Sequence, residues 1–214
     1  MSTWISKGAF ALALALLVSA CVPSASSAPG KAVRSKSYLG GAAVAAGPAG
    51  YCIDERASRD NPGGAFVLFG TCAALSGVPG AGQPASPALL TASIALDNSE
   101  TPTSDRFAAM SRFFQSTAGR AALSRSGRPE TVTVTRAFSG NGVLYAKISD
   151  VAGAREGLDP GYWRAIFGMR GMLVTLSVMS HSSRPADDAT LRRTLDSFIR
   201  AMRAANSGTG AESL

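Results

Sequence analysis

The chain has 214 residues, of which 46% are hydrophobic and 16% are charged, and its formal net charge is +7. This apolar content is enough for the hydrophobic core of one domain of ordinary size. The basic residues are spread along the chain and are not interleaved with aromatic residues, a pattern that argues against nucleic-acid binding and favours a solvated basic surface near a membrane.

Residues 1–20 have the three parts of a secretory signal peptide. Lys7 supplies a positive charge, and an uncharged run rich in Leu and Ala covers residues 9–18. This run is too short to cross about 30 Å of hydrocarbon as a helix. Two small residues follow, and then Cys21. The segment therefore predicts export, with cleavage just before the cysteine.

The order Val18-Ser19-Ala20-Cys21 resembles the lipobox of bacterial lipoproteins, in which a branched residue and two small residues precede an obligatory cysteine. The resemblance implies that fatty acids such as palmitate are attached to the Cys21 sulfur and to its new amino group. Several acyl chains exceed the two signals that lasting membrane attachment requires. Val22 stands where an Asp would imply retention at the inner membrane, so the resemblance implies the periplasmic side of the outer membrane.

Two other interpretations of the same segment stay open. Val18 and Ala20 also fit an ordinary signal-peptidase site, and cleavage there would release a soluble protein. The apolar run could instead remain uncleaved and act as a short anchor. Retention at the inner membrane is a further alternative for the lipidated chain, because the sorting rule varies between bacteria.

The cysteines support export independently of the signal peptide. The chain has three, and once Cys21 is assigned to the anchor, Cys52 and Cys72 remain as a pair. In an oxidising compartment such a pair is expected to form a structural disulfide. The bond would close a loop of about 20 residues and contribute about 3 kcal/mol in the chain-entropy model. A redox-active pair is the alternative, but the spacing does not resemble Cys-x-x-Cys.

Residues 21–39 are predicted to form the lipidated cysteine and a flexible tether, because Ser, Ala, Pro and Gly dominate them. One globular domain is predicted over residues 40–206, with a disordered tail over residues 207–214. Apolar segments in the first half of the domain predict four strands, over residues 42–46, 51–54, 65–72 and 88–95. The strand over residues 65–72 is predicted to be buried on both sides. The charged residues 55–61 and the Gly- and Pro-rich residues 76–87 are predicted to form loops.

A helix is predicted to begin at Thr103 or Ser104 and to end at Gly119. Its apolar face could line a ligand site, although a core-facing stripe is the ordinary explanation. The residues of this face are Phe107, Met110 and Phe114. Residues 120–129 match no pattern.

Two β-hairpins are predicted next. Residues 131–135 alternate Thr and Val, Asn141-Gly142 is a strong turn, and residues 143–149 return. The second hairpin joins residues 162–167 to residues 172–180. A final amphipathic helix is capped by Asp187 or Asp188 and stops near Asn206. Its apolar stripe consists of Leu191, Leu195, Phe198, Ile199 and Met202.

The order of elements predicts an α+β domain, with an antiparallel sheet of six to seven strands and two main helices packed on it. Over residues 40–206 this order resembles the Mog1/PsbP-type sandwich, a fold used mostly for binding and assembly. The run from Gly50 to Asp54, with the later cysteine and the closing helix, resembles small uncharacterised lipoproteins of Gram-negative bacteria. Neither resemblance implies a particular chemistry.

The sequence contains no recognised motif for catalysis, for a metal or for a cofactor. His181, the only histidine, stands beside Ser180 with Asp187 and Asp188 nearby in sequence, but no Gly-x-Ser-x-Gly elbow exists. The acidic residues between the paired cysteines are interspersed with arginines, which favours local ion pairing over a calcium loop. These acidic residues are Asp54, Glu55 and Asp60.

The expected function is therefore that of a membrane-anchored periplasmic lipoprotein, non-enzymatic, which binds a partner or helps to assemble the envelope. Its expected partners are membrane lipid, through acylated Cys21, and an envelope protein, with no nucleic acid and no cofactor. The alternative is a periplasmic hydrolase whose site is built near Ser180 and His181.

Overall fold

A computed structural model describes residues 32–208. Cys21, the predicted signal peptide and most of the predicted tether and tail lie outside the described residues. The strands are β1 (Ser35–Tyr38), β2 (Ala43–Ala46), β3 (Tyr51–Asn61), β4 (Gly64–Thr71), β5 (Ala88–Leu96), β6 (Val132–Gly140), β7 (Val143–Asp150), β8 (Leu158–Met169) and β9 (Met172–His181). The α-helices are α1 (Cys72–Ser76), α2 (Phe107–Gln115), α3 (Thr117–Leu123) and α4 (Asp188–Asn206).

Seven strands form one antiparallel sheet in the order β3-β4-β5-β9-β8-β7-β6, and β1 pairs with β2 in a separate ribbon. Both predicted hairpins are present, as β6–β7 and β8–β9. The two halves of the sheet are joined by β5 and β9, whose register runs from Ala88 opposite Ser180 to Leu96 opposite Met172. The α+β prediction, with an antiparallel sheet of up to seven strands, is thereby confirmed.

Each face of the sheet has its own hydrophobic core. The first face packs against α4 and the β1–β2 ribbon, with a core that includes Tyr38, Val67, Phe69, Leu90, Trp163, Phe167, Leu195 and Phe198. The second face packs against α2 and α3, with a core that includes Phe107, Phe114, Leu123, Val134, Leu144, Ile148, Tyr162 and Ile166. Side chains alternate between the faces along each strand, so β7 and β8 serve both cores.

The predicted tether is wrong at its C-terminal end, because residues 35–38 form β1. Tyr38, the last residue of β1, is buried in the core of the first face. The small alanines of β2 pack closely against α4. Asn206 ends α4 and fixes the ribbon: its Nδ2 donates to the Val44 carbonyl at 2.8 Å, and its Oδ1 accepts from the Val44 N–H at 2.9 Å. Tertiary contacts therefore order a segment whose composition is that of a tether.

Asn206→Ala is expected to lower the free energy of unfolding by about 1–3 kcal/mol, because both backbone groups of Val44 lose their partner in a largely buried place. Urea unfolding of the two chains measures the difference. Ser207→Ala, one residue further on and exposed, is the control and should change stability by no more than about 0.5 kcal/mol. Equal midpoints for Asn206→Ala and the parent chain would show that the ribbon does not depend on this side chain.

Two further predictions are corrected. Residues 55–61 are not a loop but the outer part of β3, which changes register between Asp54 and Arg59 and so carries its charges on an edge strand. The strand predicted to be buried on both sides, β4, has only one buried side: Ala65, Val67 and Phe69 are in the core, whereas Phe66 is 42% exposed.

The helix predicted to end at Gly119 is in fact two helices. α2 ends at Gln115, and the Ser116 hydroxyl caps α3 by accepting the Gly119 N–H at 3.0 Å. A Cβ on Gly119 would lie 1.8 Å from the Phe113 carbonyl oxygen, so only glycine allows the two helices to approach this closely. The predicted apolar stripe of α4 is confirmed, with Asp187 as its N-cap.

Candidate functional site

The strongest candidate site is a groove on the second face of the sheet, where α2 and α3 cover only part of it. The two helices pack over β6 and reach across β7 and β8. The neighbouring part of this face, on β4 and β5, is open, as the exposure of Phe66 and Ser93 shows. The step between covered and open sheet is a groove of about 500 Å³. This volume is typical of small-molecule sites, which span about 300–1,000 Å³.

The walls of the groove are mostly apolar. α2 supplies one wall and α3 part of another, and β8 and β9 supply the floor. The apolar lining consists of Ala109, Met110, Phe113, Phe114, Ala122, Leu123 and Ile166. Phe113 is 47% exposed, so no element among residues 32–208 covers this aromatic side chain fully. The remaining lining residues are Thr175 and two arginines, Arg106 and Arg164.

Arg164 lies on β8, two residues from Ile166 and therefore on the same face of the sheet. Its Nε donates to the Ser177 hydroxyl at 3.1 Å, and its guanidinium carbon is 5.6 Å from the centre of the Tyr162 ring. No Asp or Glu among residues 32–208 forms an ion pair with it. The groove thus has a half-buried cation on its floor whose charge is not balanced by a neighbouring carboxylate.

Arg106 differs from Arg164 because its charge is already paired. It forms an ion pair with Asp97, whose carboxylate also accepts the Thr103 hydroxyl at 2.9 Å. The Thr103 hydrogen bond, more than the charge of Arg106, holds the pKa of Asp97 below its usual value. The Arg106 Nε is nevertheless buried without a hydrogen-bond partner. Burial raises the pKa of the Tyr162 phenol, whose ring lies beside the Arg164 guanidinium.

The structure separates the two residues of the alternative hydrolase site. Ser180 is fully buried and His181 is exposed, and as neighbours on β9 they point to opposite faces of the sheet. Within residues 32–208, no hydrogen bond joins the His181 imidazole to a serine or a carboxylate. The nearby acids are committed elsewhere: Asp187 caps α4, and Asp188 pairs with Lys147. In the described part of the chain, Ser180 and His181 therefore do not form the paired site that the hydrolase alternative requires.

A second cluster, of aromatic residues at the start of α4, is already filled by the chain itself. The Arg192 guanidinium lies 3.8 Å from the centre of the Tyr145 ring and 5.4 Å from that of Trp163. The Trp163 Nε1 donates to Asp188 at 2.8 Å, and the hydrogen bond from Lys147 keeps the pKa of Asp188 below its usual value. These contacts hold α4 on the sheet, so the cluster has a structural role.

The acidic residues between the two cysteines also have structural roles. Asp54 accepts the Arg56 N–H at 3.1 Å, Glu55 pairs with Lys36, and Asp60 accepts the Leu39 N–H at 3.1 Å. No group of three His, Cys, Asp or Glu side chains in the described part of the chain is arranged to hold a metal ion.

Cys52 and Cys72 form the predicted disulfide, with their Cα atoms 4.8 Å apart. Cys52 lies at the start of β3, and Cys72 follows the end of β4, so the bond closes the open end of this hairpin. Cys21 lies outside the described residues. The groove was not predicted as a site: only the α2 stripe indicated one of its walls, and Arg164 carries no motif.

Comparisons with known protein families, with curated proteins and with solved structures find no match. Among residues 32–208, no helix is both long enough and apolar enough to cross a membrane. The resemblances to lipoproteins and to the Mog1/PsbP-type sandwich stay predictions.

Proposed function

We propose that this protein is a lipid-anchored lipoprotein of the cell envelope, and that its α+β domain is a non-enzymatic binding module. Acylated Cys21 holds it on the periplasmic side of the outer membrane. The observation that carries the proposal is the order Val18-Ser19-Ala20-Cys21 directly after an uncharged apolar run. A cysteine at this one position is what the lipoprotein pathway modifies.

The Cys52–Cys72 bond supports export without reference to the N-terminus. Structural disulfides persist in oxidising compartments and are rare in the cytosol. Both cysteines are buried, so the bond is part of the folded domain and not a surface feature.

The position of the domain's first residues fits attachment near a membrane. The Ile53 N–H donates to the Val33 carbonyl at 2.8 Å, so the chain enters the domain alongside β3, at the edge of the sheet. Ala32 is 11 residues after Cys21. A chain of this length spans at most about 40 Å. The anchor would therefore keep the domain close to the lipid surface, with the groove within reach of membrane-derived ligands and envelope proteins.

Cys21→Ser is expected to abolish both lipid incorporation and membrane retention. Cells that express the full chain are fed an alkyne analogue of palmitate, and label on the protein is measured after fractionation and detergent phase partitioning. The parent chain should carry label and enter the detergent phase, whereas Cys21→Ser should carry none. Ser24→Ala, three residues further on, is the matched control and should behave as the parent. Equal labelling and retention of the parent chain and Cys21→Ser would refute lipidation as the anchor.

A further inference from the structure

We propose that the groove beside α2 and α3 binds a single acyl chain that ends in an anionic group, with the anion on Arg164 and the chain along the apolar walls. This inference rests on the binding part of the proposed function and is independent of the anchor at Cys21. Free fatty acids and lysophospholipids with an anionic head share this chemistry.

The charge of Arg164 argues for an anionic end. A guanidinium has five N–H donors in a fork that matches a carboxylate or a phosphate. In this groove only a neutral hydroxyl, that of Ser177, accepts from the Nε, and none of the described carboxylates pairs with the group. A cation partly removed from water is costly unless an anion compensates it. A bound anion would supply that compensation at the floor of the groove.

The walls argue for an acyl chain. Met110, Phe113 and Phe114 of α2 line the groove together with Leu123 and Ile166. A contiguous apolar surface with a polar border is typical of a ligand or interaction site. Met110 is also a flexible side chain that adapts to chains of different length and curvature.

The polar surface next to Arg164 argues for a head group rather than a fully apolar ligand. In the register of the sheet, Arg164 is opposite Ser177, and Ser177 is opposite Thr91. All three side chains therefore lie in one row on the second face, and the row leads from the apolar groove to the open part of the sheet. Ser177 is buried beside Arg164, so the half-buried Thr91 hydroxyl is the one that an anionic head on Arg164 would meet at the open part of the sheet, while its chain is directed under α2. The groove volume of about 500 Å³ is that of a site for one small ligand.

The test uses the full chain in vesicles of neutral diacyl phosphatidylcholine. A palmitic acid that carries a photoreactive diazirine at its methyl end is added, the sample is irradiated, and the labelled peptides are mapped by mass spectrometry. Label should be concentrated on peptides from residues 109–123, which contain the α2 and α3 side chains that line the apolar walls. Unlabelled palmitate should compete for these positions.

Arg164→Gln should reduce groove labelling about tenfold, because a neutral amide replaces a charge-assisted hydrogen bond. Arg200→Gln is the matched control: it removes the same charge from an exposed position on α4, on the other side of the sheet, and should leave labelling unchanged. Arg164→Lys, which keeps the charge but not the fork, should retain more label than Arg164→Gln.

A second experiment uses the parent chain without a substitution, so its result is valid even if Arg164→Gln does not fold. A neutral monoacylglycerol with the same diazirine chain should label the groove of the parent chain about tenfold less than the fatty acid. Unlabelled palmitate and unlabelled lysophosphatidylglycerol are then each added as competitors. The one that halves groove labelling at the lower concentration is the anionic chain that binds more tightly.

Three outcomes would overturn the proposal. The first is equal groove labelling by the neutral and the anionic probes. The second is label spread over exposed apolar residues far from the groove, such as Val78 and Val151, in proportion to their exposure. The third is no groove labelling by the fatty acid in vesicles, together with cross-linking of the groove to an envelope polypeptide in cells. Groove labelling that persists in Cys21→Ser, with palmitate incorporation lost, separates this result from that of the anchor.

Discussion

Replacing both Cys52 and Cys72 with serine is expected to lower the free energy of unfolding by about 2–5 kcal/mol. The two residues are 20 positions apart in sequence, and their bond removes the freedom of that loop from the unfolded chain. The bond also joins the open end of the β3–β4 hairpin, where β3 is the edge strand of the seven-stranded sheet. The edge of the sheet should therefore lose order first, while β6–β9 and α4 stay packed.

Urea unfolding of the parent chain and the double variant measures this change, and hydrogen exchange localises it. Intact-mass measurement without reductant is the control that the parent chain carries the bond. Alkylation of both thiols in the folded, exported protein, or unfolding midpoints that agree within about 0.5 kcal/mol, would contradict the prediction.

Phe198→Ala is expected to cost about 3–5 kcal/mol of stability, because it leaves a cavity in the first core. Phe198 is fully buried on α4 and meets the edge of the Phe69 ring, with ring centres 5.0 Å apart. Contacts of this geometry contribute beyond the buried area alone. The neighbouring side chains come from a sheet and a helix that are each fixed by other contacts, so they can close the cavity only in part.

Phe113→Ala is the matched control for this substitution. It makes the same chemical change on α2, at a side chain that is 47% exposed and outside both buried cores. Thermal or urea unfolding should show a change of no more than about 1 kcal/mol for this variant. Similar losses for the two variants would show that α4 is not the main cover of the first face.

Local order was predictable wherever the chain's own neighbours decide it. The Thr-Val alternation of β6, the Asn141-Gly142 turn and the apolar stripe of α4 all depend on residues within a few positions of one another. The disulfide was predictable for another reason: the predicted lipid anchor uses one of the three cysteines and leaves two for one bond. The spacing of apolar residues, the residue types at turns and the number of cysteines are all properties of the sequence itself.

Elements that depend on distant partners were the ones predicted wrongly. β1 has the composition of a tether and is ordered because it pairs with β2. β2 is in turn held by α4, whose Asn206 binds Val44 across 162 positions of sequence. The outer part of β3 is charged and forms a strand because β4 supplies its backbone partners. In both cases backbone pairing and burial by remote elements outweigh local propensity.

The sequence alone determined the class of the fold, the disulfide and the prediction of a lipid anchor, because each depends on local pattern or on residue identity. The groove was decided by the tertiary structure. Its cation and its apolar wall, Arg164 and Met110, are 54 positions apart in sequence. Both line the groove only because β8 lies inside the sheet, between β9 and β7, and α2 ends at Gln115. Sheet order and helix placement are set by long-range packing, which a reading of neighbouring residues does not contain.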